Sequence, residues 1–232
     1  MRPEDKDKLI VALDFPSYDE ARTLVDLLGE TVSFYKIGLE LLFSDGLTLA
    51  SELKNDGKRV FLDMKFLDIG NTVEKAVAAV AHLGFDFLTI HGTDSKTMQA
   101  AVKGRGKSSL KLLAVTVLTS LDQTDLNEQG ISLSPRDLVL LRAKLAQDAG
   151  MDGVIASGME AASLRAATGQ NFLIVTPGIR LPGGDAGDQK RITTPEDALR
   201  DGANHLVVGR PITAARDPKL AAETVLGHIK LA

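Results

Sequence analysis

Eight short apolar runs alternate with eight amphipathic runs along the chain, and this alternation restricts the fold more than any other feature. The strand-like runs cover residues 9–14, 33–38, 60–66, 87–92, 110–118, 151–157, 172–179 and 205–212. Helical patterns fill 17–29, 41–57, 71–84, 94–104, 134–150, 159–169 and 194–202, and a last one runs from Pro218 to the end. Near-continuous apolar strands separated by helices are the mark of a parallel sheet covered on both sides. Punctuation agrees with the pattern. Ser17 and Glu20 have capping-box spacing. Thr194-Pro195-Glu196-Asp197 offers an N-cap, a proline at the first helical position and acids in the first turn. Gly29, Gly57, Gly84, Gly150, Gly169 and Gly202 stand where helices should end. Eight strand–helix units in 232 residues predict an α/β fold of the (β/α)8 TIM-barrel type, a single domain over 1–232. A doubly wound sheet is the rival, but no Gly-x-Gly-x-x-Gly follows the first strand.

Composition narrows the function classes. A net charge of −4 gives no general basic footprint, so nucleic acid is not an expected partner. The absence of Cys removes disulfides, thiolate chemistry and thiolate metal sites. The charged start, Met1 to Lys8, lacks the apolar core of a signal peptide, and no apolar run approaches the ~18 residues of a membrane span. The expectation is a cytoplasmic protein with no membrane partner.

The chemistry concentrates in Phe61-Leu62-Asp63-Met64-Lys65-Phe66-Leu67-Asp68-Ile69-Gly70-Asn71-Thr72. Its first half reads as a buried strand, and the two-residue spacing puts Asp63 and Lys65 on one face. Asp68 follows where the strand should already be a loop. Buried charges persist only when paired. Lys36 ends the second strand and would complete an alternating set of Lys36, Asp63, Lys65 and Asp68 at the barrel mouth. Flanking carboxylates hold a lysine protonated, which suits a proton donor and not a Schiff-base nucleophile. A purely structural ion-pair network is the alternative reading of the same stretch. Asp14, His91, Thr119, Ser120, Arg180 and Arg210 also end strands, the face that carries active sites in barrels.

A second constellation joins Thr176-Pro177-Gly178-Ile179-Arg180 to Gln189 and Arg191, and then to Val207-Val208-Gly209-Arg210. The loops after strands seven and eight often bind phosphate in barrels. Gly209 permits close backbone approach and Arg210 supplies a bidentate charged fork. The polar, glycine-rich stretch 181–188 between them suits a closing loop. The small-residue helix after the core motif, 73–81, fits either a subunit interface or close packing on the barrel.

With these residues the chain resembles the bacterial orotidine 5′-phosphate decarboxylases over nearly its whole length. The resemblance runs through Val11-Ala12-Leu13-Asp14, Lys36-Ile37-Gly38, the stretch from Asp63 to Thr72, and Val115 to Ser120. It continues through Thr176 to Arg180, Gly187-Asp188-Gln189-Lys190-Arg191-Ile192 and Val208-Gly209-Arg210-Pro211. Leu67 and Gly70 stand where that family usually has His and Pro. The resemblance implies a homodimeric barrel with shared active sites, converting orotidine 5′-monophosphate to UMP and CO2 in pyrimidine biosynthesis without cofactor or metal. It implies that Asp14 and Lys36 contact the ribose hydroxyls, that Asp63 lies beside the substrate carboxylate and that Lys65 protonates C6. Asp68 and Thr72 would enter from the partner subunit, Thr119 and Ser120 would lie near the pyrimidine, and Pro177 would border the substrate. Arg180, Gln189, Gly209 and Arg210 would hold the phosphate.

Two other functions compete. The sugar-phosphate branch of the same superfamily, the keto-gulonate phosphate decarboxylases and hexulose phosphate synthases, shares the Asp-x-Lys-x-x-Asp motif. That branch uses Mg²⁺ and carries Glu where this chain has Lys36, and a cation there would repel a metal. A non-catalytic barrel scaffold is the other alternative, and intact Asp63, Lys65 and Asp68 speak against it.

Overall fold

The computed structural model describes residues 3–183 and 190–232. Eight strands form a closed parallel barrel: β1 Leu9–Ala12, β2 Phe34–Ile37, β3 Arg59–Phe66, β4 Phe87–His91, β5 Lys111–Val115, β6 Gly153–Ile155, β7 Leu173–Thr176 and β8 His205–Val208. Each strand pairs with the next, and β8 closes on β1 with Val11 opposite Val208. The fold is the TIM barrel expected from the alternation.

Two-residue periodicity divides the side chains. Val11, Tyr35, Leu62, Leu88, Leu112, Val154, Ile174 and Leu206 point outward into the layer between sheet and helices. Ile10, Phe34, Phe61, Phe87, Leu113, Val175 and Val207 fill the barrel interior. The helices that cover the sheet include Tyr18–Leu28, Leu47–Asn55, Gly70–Leu83, Ser95–Arg105, Pro135–Asp148, Ala161–Thr168, Pro195–Arg200 and Pro218–Leu231. Ser17 Oγ accepts from Glu20 N at 3.3 Å, and Thr194 Oγ1 accepts from Asp197 N at 3.2 Å, so both expected N-caps form. The six glycines expected at helix ends all have positive φ.

Three boundaries differ from expectation. Every strand but β3 stops earlier at its C-terminal end, and the eighth gives way to a short helix, Arg210–Thr213, that begins inside the predicted strand 205–212. The helix expected over 41–57 is broken by a wide π-type turn, Leu42–Gly46, in which Asp45 takes φ 63°. The short helix Gln123–Glu128 was not anticipated, although Asp122 and Asp125 form a capping box at its start. The small-residue helix Gly70–Leu83 packs closely on Ser95–Arg105. A Cβ built on Gly104 would come within 2.2 Å of the Glu74 carbonyl oxygen.

The layering of the interior positions the site. Phe34, Phe61 and Phe87 lie on adjacent strands, with ring centroids 5.1 Å apart for Phe34–Phe87 and 5.8 Å for Phe61–Phe87. Both pairs meet edge to face, a geometry the aromatic quadrupole favours. The next inward positions toward the mouth, two residues on, are Lys36, Asp63 and Thr89. Polar chemistry therefore begins one layer above an apolar floor.

Candidate active site

Four charged side chains form a line of alternating sign at the barrel mouth. Lys36 Nζ lies 2.9 Å from Asp14 Oδ1 and 3.4 Å from Asp63 Oδ2. Lys65 Nζ lies 2.8 Å from Asp63 Oδ1. Within one chain the order is thus Asp14–Lys36–Asp63–Lys65: Asp14 extends the set beyond Lys36, and Asp68, expected beyond Lys65, is not part of it. Alternating charges at these distances stabilise one another and leave the set formally neutral.

The two middle members of the line are the most buried. The Lys36 side chain is 9% exposed, Asp63 15%, Lys65 29% and Asp14 52%. Burial alone would lower the Lys36 amine, but Asp63 and Asp14 outweigh it and hold the amine above the ordinary lysine value. Burial likewise opposes ionisation of Asp63. Lys36 and Lys65, with hydrogen bonds from Lys65 and Thr89, overcome that penalty and hold its carboxyl below the ordinary range. His91, at the end of β4, is pushed down by burial and by the cations Lys65 and Arg142.

Local backbone geometry sets these positions. Between Leu62 and Phe66 the register of β3 against β4 shifts: Leu62 faces Leu88, whereas Phe66 faces Ile90. Four steps along β3 thus match two along β4, a β-bulge next to reactive side chains. Lys65 adopts φ 50°, the left-handed region that a non-glycine residue enters at a cost of roughly 1–2 kcal/mol. Alternation survives the bulge. Asp63 and Lys65 both face the cavity, while Met64 packs outward. Gly38 sits against the same pair of charges, and a Cβ there would stand 3.0 Å from both Asp14 Oδ1 and Lys36 Nζ.

The cavity above the line measures about 280 Å³, near the lower end of small-ligand pockets. Asp14, Lys36, Asp63, Lys65, Thr119, Pro177, Arg180, Gly209 and Arg210 all line it. Phe61, Val115, Ile155 and Val207 give it apolar walls, Gly178 of the second constellation joins the lining, and so does Thr213, which the sequence did not single out. The cavity therefore joins a carboxylate–ammonium array to two arginines. Such a site can bind an anionic ligand at one place and stabilise developing negative charge at another.

Other expected residues are placed elsewhere. Ser120 is half-buried outside the lining. Asp68 and Thr72 are exposed and lie outside it too, and the Asp68 carboxylate accepts from the Ile69 N–H at 2.6 Å. Gln189 lies outside the described residues. Arg191, which lies in the stretch between Arg180 and Arg210, is buried against Glu160, with Nη1 2.5 Å from Oε1. Its Nη2 donates to the carbonyl oxygens of Val117 at 2.9 Å and Leu118 at 3.1 Å, and Lys190 N donates to Thr119 O at 3.2 Å. Three consecutive carbonyls of the cavity wall are therefore pinned by residues 190 and 191.

Sequence reasoning also passed over Thr89 and Glu160. The signal for Thr89 was its place two residues after Phe87, matching Lys36 after Phe34 and Asp63 after Phe61.

Comparison with known proteins agrees with the barrel fold. The model of the orotidine 5′-phosphate decarboxylase / HUMPS family matches residues 7–225. The chain belongs to that family. An orotidine 5′-phosphate decarboxylase of Rhodopseudomonas palustris strain HaA2 is 52% identical over 227 residues, covering 98% of this chain and 96% of the relative. One from Caulobacter sp. strain K31 is 54% identical over 222 residues, covering 96% of each. The crystal structure of orotidine 5′-phosphate decarboxylase from Lactobacillus acidophilus superposes with a TM-score of 0.84 at 39% identity, covering 96% of this chain and 99% of that one. Among the described residues no helix is long and apolar enough to cross a membrane.

Proposed function

We propose that this chain converts orotidine 5′-monophosphate to UMP and CO2 without a cofactor, with Lys65 as the proton donor to C6. The observation that carries the proposal is the Asp14–Lys36–Asp63–Lys65 line, which ends in an ammonium facing a cavity that also holds Arg180 and Arg210.

The chemistry asks for this arrangement. When the bond from C6 to the carboxylate breaks, CO2 leaves and the electron pair stays on C6, where no adjacent π-system absorbs it. A fixed ammonium meets that charge, and its N–H proton passes to C6 to give UMP. The amine regains a proton from solvent. Stabilisation comes from a cation held in place beforehand, so little reorganisation is needed. Asp63 beside the substrate carboxylate, at ~4 Å, would repel it by about 4 kcal/mol at an effective dielectric near 20. The same carboxylate grips Lys65. Asp14 and Lys36 fit the ribose hydroxyls, and Thr119 and Pro177 fit the pyrimidine end, whereas Ser120 stands outside the lining. Arg180, Gly209 and Arg210, with Gln189, fit the phosphate.

The acting unit in this reading is a homodimer with shared sites. Asp68 and Thr72 lie outside their own cavity, and the neighbours of Asp68 are apolar and open to solvent, Leu67 at 55% and Ile69 at 73%. A two-fold contact would cover those residues and bring Asp68 and Thr72 to the partner's cavity. Metal assistance is disfavoured by the ligands already in place. Asp63 Oδ1 serves Lys65 and Thr89, and its Oδ2 serves Lys36.

The test is turnover of orotidine 5′-monophosphate, followed by loss of the orotate absorbance, before and after exhaustive chelation. Equal rates are expected. Activity only with Mg²⁺, on a keto-sugar acid phosphate, would place the chain in the sugar-phosphate branch.

A further inference from the structure

Thr89 is fully buried on β4 and does not line the cavity. Its hydroxyl nevertheless touches both halves of the reactive pair. Oγ1 accepts from the Lys65 backbone N–H at 2.9 Å and donates to Asp63 Oδ1 at 2.9 Å. A hydroxyl has one hydrogen and two acceptor sites, so these bonds are compatible and fix its orientation.

Lys65 needs such a partner. The shift of β3 against β4 and the left-handed φ of 50° remove its N–H from the regular ladder. A backbone N–H partly closed to water still needs an acceptor. Thr89 supplies one, and with the same atom it holds the carboxylate oxygen that grips Lys65 Nζ at 2.8 Å. The backbone and the head group of Lys65 are thus referred to a single oxygen.

We infer that Thr89 is a positioning residue for the decarboxylation, fixing the strained Lys65 backbone and the Asp63 carboxylate together so that the ammonium points into the cavity. The inference rests on the decarboxylase reading and extends it to a residue that never meets the substrate.

Three variants test it: Thr89→Val keeps the shape and removes the hydroxyl, Thr89→Ala removes it without a second branch, and Thr89→Ser keeps it. Thr89→Val should lower kcat on orotidine 5′-monophosphate by about 10–100-fold, the scale of a displaced electrostatic group, while KM moves less than about threefold. Thr89→Ala should show the same split if the valine variant does not fold. Thr89→Ser should keep kcat within about threefold of wild type. Wild-type kcat in a variant without the hydroxyl would overturn the role. So would a serine variant as slow as the valine one, because packing would then explain the loss. Wild-type enzyme assayed alongside separates the two claims. If it turns over and Thr89→Val is unimpaired, only the role of Thr89 falls; if it does not turn over, the reading beneath it falls.

Discussion

Arg191 and Glu160 form a salt bridge in which both side chains are nearly closed to water, 10% and 6% exposed, at the edge of the candidate active site. Burial outweighs the arginine and pushes the Glu160 carboxyl above its ordinary value. Removing one member of such a pair leaves a buried charge alone, at about 3–5 kcal/mol. Arg191→Met should therefore lose about that much stability by urea unfolding, since the carbonyls of Val117 and Leu118 also lose their donor. A loss below about 1 kcal/mol would show that the wall is held by other contacts.

Gly38 should matter to the site and hardly to the fold. Its φ of −101° is open to any L residue, so alanine brings no backbone strain. The added Cβ would crowd Asp14 Oδ1 and Lys36 Nζ at 3.0 Å, where the ion pair must give way. Gly38→Ala is expected to lower kcat/KM about tenfold, or ~1.4 kcal/mol, with unfolding free energy changed by less than about 1 kcal/mol. Steady-state kinetics and thermal unfolding on one preparation check both halves.

The lower end of the barrel carries an acid-sensitive element. Burial pushes the His205 imidazole down to about 4, and the cation of Arg59 adds to it. Its ring meets Phe34 and Phe87 edge to face, and Nδ1 lies 2.8 Å from the Asp7 carbonyl oxygen. Between the ordinary value of 6.5 and about 4 the unfolded chain takes up a proton that the folded chain refuses. Stability from this group is thus full above 6.5 and falls with pH across that window, by on the order of 3 kcal/mol in all. His205→Phe should flatten the pH dependence of Tm over the same range. An unchanged slope would assign acid sensitivity to other groups.

How much of this was legible in the sequence depended on whether a feature was local. The eight strands and their order followed from alternation. Their ends did not, because residues past several strands remain buried and apolar, as at Val117 and Ile212, so composition cannot separate ladder from loop. Asp63 and Lys65 were readable as neighbours because period two needs no partner. Thr89 was not, since its partners lie 26 and 24 residues away, and nothing about a lysine announces a left-handed φ. In the sequence Arg191 reads only as part of the stretch that joins Arg180 to Arg210. Its Glu160 partner, 31 residues earlier, redirects it into the wall.

The shared-site proposal has a quantitative consequence. Lys65→Ala and Asp68→Ala homodimers should each be nearly inactive. In a mixed dimer one site carries both lesions and the other carries neither. Random mixing makes about half the dimers mixed, so co-expression should restore about a quarter of wild-type activity. Recovery no greater than either mutant alone would mean that Asp68 serves its own chain.

The central claim is that the Lys65 ammonium, held by Asp63, delivers the proton to C6. The most direct measurement is kcat of Lys65→Ala on orotidine 5′-monophosphate, with Tm recorded on the same sample. A fall of at least about a thousandfold in a folded protein is expected, because the variant loses both proton donor and fixed charge. A folded Lys65→Ala enzyme that keeps kcat within about tenfold of wild type would contradict it.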